Sequence, residues 1–447
     1  MPTRLACFAE VGDVVEEIKE DMAKVVQSGL AGRFLVEYVA AQPPSGVRKI
    51  CLLAYNEMRA LVEHIITFGM SSDAVHYDLT DLDLAILPSG RLGRSEQGFR
   101  AAQEAHVTQI TRERIARLAA RYDQYWSNPT KPHGSEPELV QKLNGASMAE
   151  FGFSMTDLGA FLRTVRQVGM KQGHGIALMP LERLSQALAL RLKWPDEKVA
   201  EAVGLFSLAQ RSTYMTPVPP YPKVDLFPWR YNRGAAYLRR PIILRTVDGA
   251  TEALWGNRHV EMAMDNLLSL CFNGQLKAQS LEMRQFIGAL RHEQGEGFND
   301  RVADLLATYT DLTVRRRVKK VGKLRFDNLG DIDVLVGRAE NRRLFVIECK
   351  DFSASRTPHE LANEVEEFVQ GKDGKNSIVQ KHQARTKWIE EHLPETLQLL
   401  RLSPQGNWKV QPLIVVDEPM LSARLLNLNI PLMTIHQIEG LGLRGKL

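Results

Sequence analysis

The feature that most constrains this chain is the stretch GDIDVLVGRAENRRLFVIECKDF, Gly330–Phe352, in which two short apolar segments flank the polar turn AENRR. Both have the length and the Val, Ile, Leu and Phe content of buried strands, so a sheet covered on its faces is expected here. Each segment nevertheless carries charge where a core strand should have none. Side chains alternate along a strand, so Glu348 and Lys350 share one face while Ile347 and Cys349 share the other. Asp331 and Asp333 likewise share a face of the neighbouring segment. Pairing the two through the AENRR hairpin makes carboxylates converge with a lysine between them. Isolated buried carboxylates are costly, and a cation or a metal is the usual remedy. Two acidic side chains and a backbone carbonyl, with water completing the set, suit a hard octahedral ion such as Mg²⁺.

The surrounding pattern extends the domain. From about residue 288, GFNDRVADLLATY reads as an amphipathic helix, and LTVRRRV, DIDVLVG and RLFVIECK follow as three strands. TPHELANEVEEFV carries a cap at Thr357, a proline suited to the first turn at Pro358 and a capping-box glutamate at Glu360. Gly371 and the KDGKN turn end that helix, SIVQKHQARTKWIEEHL begins another, and VQPLIVV and IPLMTI are short strands of a covered sheet.

Asp333 followed on the next strand by Glu348-Cys349-Lys350, between a preceding and a following helix, resembles the PD-(D/E)XK nuclease superfamily, the restriction-endonuclease-like fold. The resemblance covers roughly residues 288–447 and implies an α/β domain with a mixed central sheet flanked by helices. It implies a metal-dependent phosphodiesterase in which Asp333, Glu348 and the Cys349 carbonyl bind Mg²⁺ or Mn²⁺. Lys350 would orient or help deprotonate the attacking water and offset charge on the phosphate. Two departures stand out. Ile332 occupies the place of the superfamily's proline, and Asn299 follows Phe298 where members often have glutamate. That ligand is then absent, or shifted to Glu296 or Asp300, with Glu296 taken as the catalytic candidate.

Substrate binding needs cations. VRRRVKKVGKLR, residues 314–325, holds Arg315, Arg316, Arg317, Lys319, Lys320, Lys323 and Arg325 and no acid. These residues suit either a phosphate backbone or a solvated edge strand. On the last long helix Lys381, Gln383 and Arg385 could approach a scissile phosphate. FPWRYNRGAAYLRRP, residues 227–241, interleaves arginines with aromatics; stacking on nucleic acid is one reading and a core with a paired rim the favoured one.

The remaining sequence reads mainly as helix, including residues 96–126, MTDLGAFLRTVRQVGM and PLERLSQALALRL, with a Pro, Gly and Ser-rich linker or exposed loop at residues 127–138. RPIILRTVDGATEALW is expected to form a hairpin turning at Asp248-Gly249. The expected class is therefore α+β multidomain: a helical region over 1–140, a second mainly helical region with the hairpin over 141–287, and the nuclease-like domain over 288–447.

At 447 residues the chain can hold several cores. Its formal charge of +4 is too small to argue for nucleic acid by itself. The four cysteines form no CxxC pair, and no signal-peptide core or membrane-length apolar run is present, so a soluble cytoplasmic protein without a membrane partner is expected. No Walker A loop or GxGxxG stretch marks an ATP motor or dinucleotide enzyme. The reading is a metal-dependent DNA endonuclease in defence against foreign DNA, the helical region serving sensing, oligomerisation or recruitment. A homodimer or larger assembly is expected, and a helicase or ATPase partner would be invisible in this sequence. A catalytically inactive nucleic-acid-binding scaffold and an RNA-directed nuclease are the alternatives.

Overall fold

The apolar periodicities are realised in two compact units, one made of residues 21–70 and 130–291, the other of residues 1–20, 71–129 and 292–447. The computed structural model describes residues 12–44, 50–80, 83–95, 101–114, 137–173, 175–326, 329–372, 374–426 and 428–441. The linker expected at 127–138 and the end of the helix expected over 96–126 lie largely outside these.

The first unit takes most of helices α1 (Gly12–Ala41) and α2 (Leu52–His76), then α3 (Pro137–Phe151), α4 (Met155–Met170), strand β1 (Ile176–Pro180), α5 (Leu181–Leu192), α6 (Asp196–Phe206), β2 (Ser207–Ala209), β3 (Ile242–Val247), β4 (Ala250–Gly256), α7 (Asn257–Phe272) and the start of α8 (Leu281–Ala307). Leu158, Phe161, Leu162 and Val165 recur at helical spacing along α4 and are all buried, joining Leu184, Leu188, Val199 and Trp255 in one core. The expected hairpin is β3–β4. Asp248 (φ 50°) and Gly249 (φ 81°) are both left-handed, as a two-residue type I′ turn requires. Two further strands extend it to a four-stranded sheet in the order β1-β4-β3-β2.

The Arg- and aromatic-rich segment at 227–241 is part of this unit's interior. Arg233 is buried and clasps Glu37 of α1 through two bonds of 2.7 and 2.9 Å, while the Tyr237 backbone N–H donates to the same carboxylate at 2.8 Å. Tyr237 itself packs against Ala40 and Leu208. For these two residues, core is the observed role.

In the second unit a five-stranded mixed sheet carries the core. Its strands are β5 (Leu312–Val318), β8 (Ile332–Arg338), β9 (Arg343–Lys350), β10 (Lys409–Val416) and β11 (Leu432–Thr434), in the order β11-β10-β9-β8-β5. β5, β8 and β9 are antiparallel neighbours, whereas β9, β10 and β11 run parallel. Between β5 and β8 the chain makes a small hairpin of β6 (Lys320–Val321) and β7 (Leu324–Arg325). One face of the sheet packs Val334, Val336, Phe345, Ile347, Leu413 and Val415 against Phe298, Val302 and Leu306 of α8. The other packs Leu335, Leu344 and Val346 against Ile389 of α10 (Ile378–Glu391) and Leu397 of α11 (Leu393–Leu399). Thr357 caps α9 (Pro358–Val365) by accepting from the Glu360 N–H, but the Glu360 carboxylate accepts from the Arg356 N–H, one residue before the box position. A reciprocal box forms instead at Ser377 and Gln380 and fixes where α10 begins. Gly371 sits at φ 87° with the Lys375 carbonyl oxygen 2.3 Å from where a β-carbon would stand, so the turn before α10 admits only glycine.

Candidate functional site

The register of the β8–β9 pair builds the site. Val334 opposite Ile347 is the last pair of the β8–β9 register, and Asp333 and Glu348 follow just beyond it on the two strands. Both carboxylates therefore emerge where the antiparallel pair opens, and neither is free to swing. Asp333 accepts from the Asn299 side-chain amide of α8 through Oδ1 and from the Cys349 backbone N–H through Oδ2, each at 2.9 Å. Glu348 is buried and accepts from Lys350 Nζ through Oε1 at 2.9 Å and from Arg385 Nη1 of α10 through Oε2. The same Arg385 nitrogen donates to the Asp331 carbonyl at 2.8 Å, tying the entrance of β8 to α10.

The electrostatics divide the two acids. Burial, and secondly the negative charge of Glu348, push the Asp333 carboxyl up to about 6, against the opposing pull of the Cys349 N–H, Lys350 and Arg385. Burial would also raise Glu348, but Lys350 and Arg385 together outweigh it and hold that carboxyl below its ordinary value. Lys350 is drawn down by burial and lifted further by Glu348, so it stays an ammonium. His382, wholly buried beside this group, is pushed down to about 4, mainly by burial, and is neutral.

Each carboxylate oxygen accepts one hydrogen bond and retains a second lone pair, and the pair is under like-charge strain that a divalent ion would relieve. Asp333 and Glu348 are the side chains that would hold a divalent ion such as Mg²⁺ or Mn²⁺. Among the described residues no cluster of three or more metal-type ligands accompanies them.

The sequence candidates are placed as follows. Asp333, Glu348, Cys349 and Lys350 come together. Glu296 does not: it is exposed on α8, and the α8 residue that reaches Asp333 is Asn299. Asp300 is bonded to Arg316 and Arg317. Strand alternation would send those two arginines to opposite faces. Left-handed backbone at Arg317 (φ 52°) breaks the alternation, and both reach Asp300, with Arg316 also on Asp304 at 2.6 Å. Arg315, Lys320, Lys323, Lys381 and Gln383 are exposed, and Lys319 lies 4.0 Å from Asp331. Arg385, expected at the phosphate, is instead buried against Glu348. The roles of Asn299 and Arg385 escaped the sequence reading, although the position after Phe298 and the periodicity of α10 marked both places.

The family model described as anti-phage protein Upx-like matches residues 5–410, nearly the whole chain and both units, so the chain belongs to that family and its role is in defence against phage. The matched span includes Asn299, Asp333, Glu348, Lys350 and Arg385; its description states a biological role and no chemistry. No curated protein and no solved structure matches. Among the described residues no helix is long and apolar enough to cross a membrane.

Proposed function

We propose that this member of an anti-phage family is a metal-dependent nuclease of the PD-(D/E)XK type, hydrolysing phosphodiester bonds of invading DNA at Asp333, Glu348 and Lys350. The observation that carries the reading is that Asp333 and Glu348 stand on adjacent strands just past the last β8–β9 pair, close enough for the Glu348 charge to act on Asp333, with the Lys350 ammonium 2.9 Å from the Glu348 carboxylate. A bound Mg²⁺ or Mn²⁺ would supply Lewis acidity and a water acidic enough to attack at neutral pH. The protein's own part is orientation and charge. Asn299 and the Cys349 N–H fix both oxygens of Asp333, and Arg385 fixes Glu348. Lys350 would face the phosphate, where its fixed ammonium offsets the negative charge that grows as water adds to phosphorus and the ester oxygen leaves.

A second reading has one observation in its favour: all four carboxylate oxygens already have protein partners. Such a closed ion-pair network suits a binding subunit that keeps the fold without turnover. Incubating the purified chain with linear and supercoiled DNA in Mg²⁺, Mn²⁺ or EDTA separates the two. Cleavage in either metal, none in EDTA, and loss in Glu348→Ala with DNA binding retained are expected of the nuclease. DNA bound but uncut in every condition would favour the scaffold.

A further inference from the structure

The basic run at residues 314–325 does not act as one patch. Two of its first three arginines are paired: Arg316 bonds Asp300 and Asp304, and Arg317 bonds Asp300, all on α8. Its second half forms the β6–β7 hairpin, which is built differently. Val321 inside the hairpin and Phe326 just beyond it are buried in the core shared with Leu397 and Trp408, so the hairpin is anchored to the domain. Lys320, Lys323 and Arg325 are exposed, and among the described residues no acid pairs with them. Lys320 and Arg325 are moreover direct cross-strand partners. Like charges facing each other across two strands repel, so the pair is unfavourable unless an anion lies over it.

Lys319, at the root of the hairpin, lies 4.0 Å from the Asp331 carboxylate, and the Asp331 carbonyl accepts from Arg385, which holds Glu348. The hairpin thus stands at the same end of β8 as the two candidate metal ligands. It presents no exposed aromatic side chain among its described residues, and so has charge for phosphates but no platform for stacking bases.

We propose that the β6–β7 hairpin grips the phosphate backbone of a nucleic-acid duplex next to the site, through Lys320, Lys323 and Arg325 and without reading sequence. The inference rests on the nuclease reading of the adjacent site, whose substrate it orients. Binding of the full chain to a fluorescent duplex, in DNA and RNA versions of one sequence, would be measured by anisotropy in EDTA over a range of KCl. The proteins are wild type, Lys320→Gln/Lys323→Gln/Arg325→Gln, and Lys171→Gln as an exposed control just past the end of α4. Each duplex-DNA phosphate contact contributes about 0.9 to the slope of log K against log salt. The triple variant is therefore expected to lose roughly two to three units of slope and about tenfold or more in affinity, with its unfolding midpoint and the control unchanged. A triple variant that binds like wild type, or a wild type that binds neither duplex at low salt, overturns the proposal. Weakened binding in a chain that never cuts would uphold the hairpin and defeat hydrolysis, whereas cutting by a chain whose binding ignores the hairpin would do the reverse.

Discussion

Asn299 Nδ2 donates to Asp333 Oδ1 at 2.9 Å, so the side chain after Phe298 meets the first candidate ligand as a neutral amide and not as a third carboxylate. Orientation is what this contact supplies. Asn299→Ala is expected to lower metal affinity or turnover by about 10- to 100-fold, the usual effect of losing a partner behind a ligand. Asn299→Asp, which adds a carboxylate, should tighten Mn²⁺ binding. Calorimetric titration of Mn²⁺ into the three proteins checks both, and identical affinities would show that Asn299 is a spectator.

Arg385 is the counter-ion of a buried acid. Removing it in Arg385→Leu leaves Glu348 with Lys350 alone and strips the Asp331 carbonyl of its donor. Breaking a buried pair from one side costs about 3–5 kcal/mol. Arg385→Lys should recover part of the loss, because both bonds come from one Arg385 nitrogen and a single ammonium can donate both. Urea unfolding reads the difference directly.

This residue also shows where the sequence stopped being legible. Strand alternation and turn chemistry placed Asp333, Glu348 and Lys350 together, because residues two apart on a strand and one hairpin away have few alternatives. The hairpin at Asp248-Gly249 and the five strands of the sheet after residue 311 were legible on the same local grounds, while the small β6–β7 hairpin was not. Asn299 and Arg385 were not, because which side of a helix meets the open end of a sheet is settled by tertiary packing. The break of alternation at Arg317 was hidden too, since nothing in RRR announces left-handed backbone. The burial of Arg233 depends on Glu37, 196 residues away, and no local pattern reports such a pair.

That pair gives a third prediction. Glu37→Ala strands the buried Arg233 and removes an acceptor of the Tyr237 N–H. A loss of about 3–5 kcal/mol is expected in the unit that contains both. Glu37→Ala/Arg233→Met should recover much of it, since an apolar pair can replace a buried ion pair. No recovery in the double variant would contradict the account of the pair.

His106 supplies a pH prediction. It is buried in the helix over 101–114, and its pKa is pushed down to about 4 by burial, with Arg424 and Arg114 adding to the shift and Glu418 opposing it. The unfolded chain takes up a proton near pH 6.5, which the folded chain refuses until about pH 4. The neutral ring's contribution is therefore complete above pH 6.5 and is lost as pH falls toward 4. The stability difference between wild type and His106→Gln, measured by urea at pH 8, 6 and 5, should shift against wild type as pH falls. A difference that does not change with pH would refute it.

The most direct test of the central claim is a cleavage assay on linear duplex DNA in Mn²⁺ with wild type beside Lys350→Ala, both shown to be folded by their unfolding midpoints. Wild type should cut, and Lys350→Ala should be slower by about 100-fold or more, the scale of losing one fixed charge at the reacting phosphate. Cutting by Lys350→Ala at the wild-type rate, or no cutting by either folded protein, would contradict the assignment of hydrolysis to Asp333, Glu348 and Lys350.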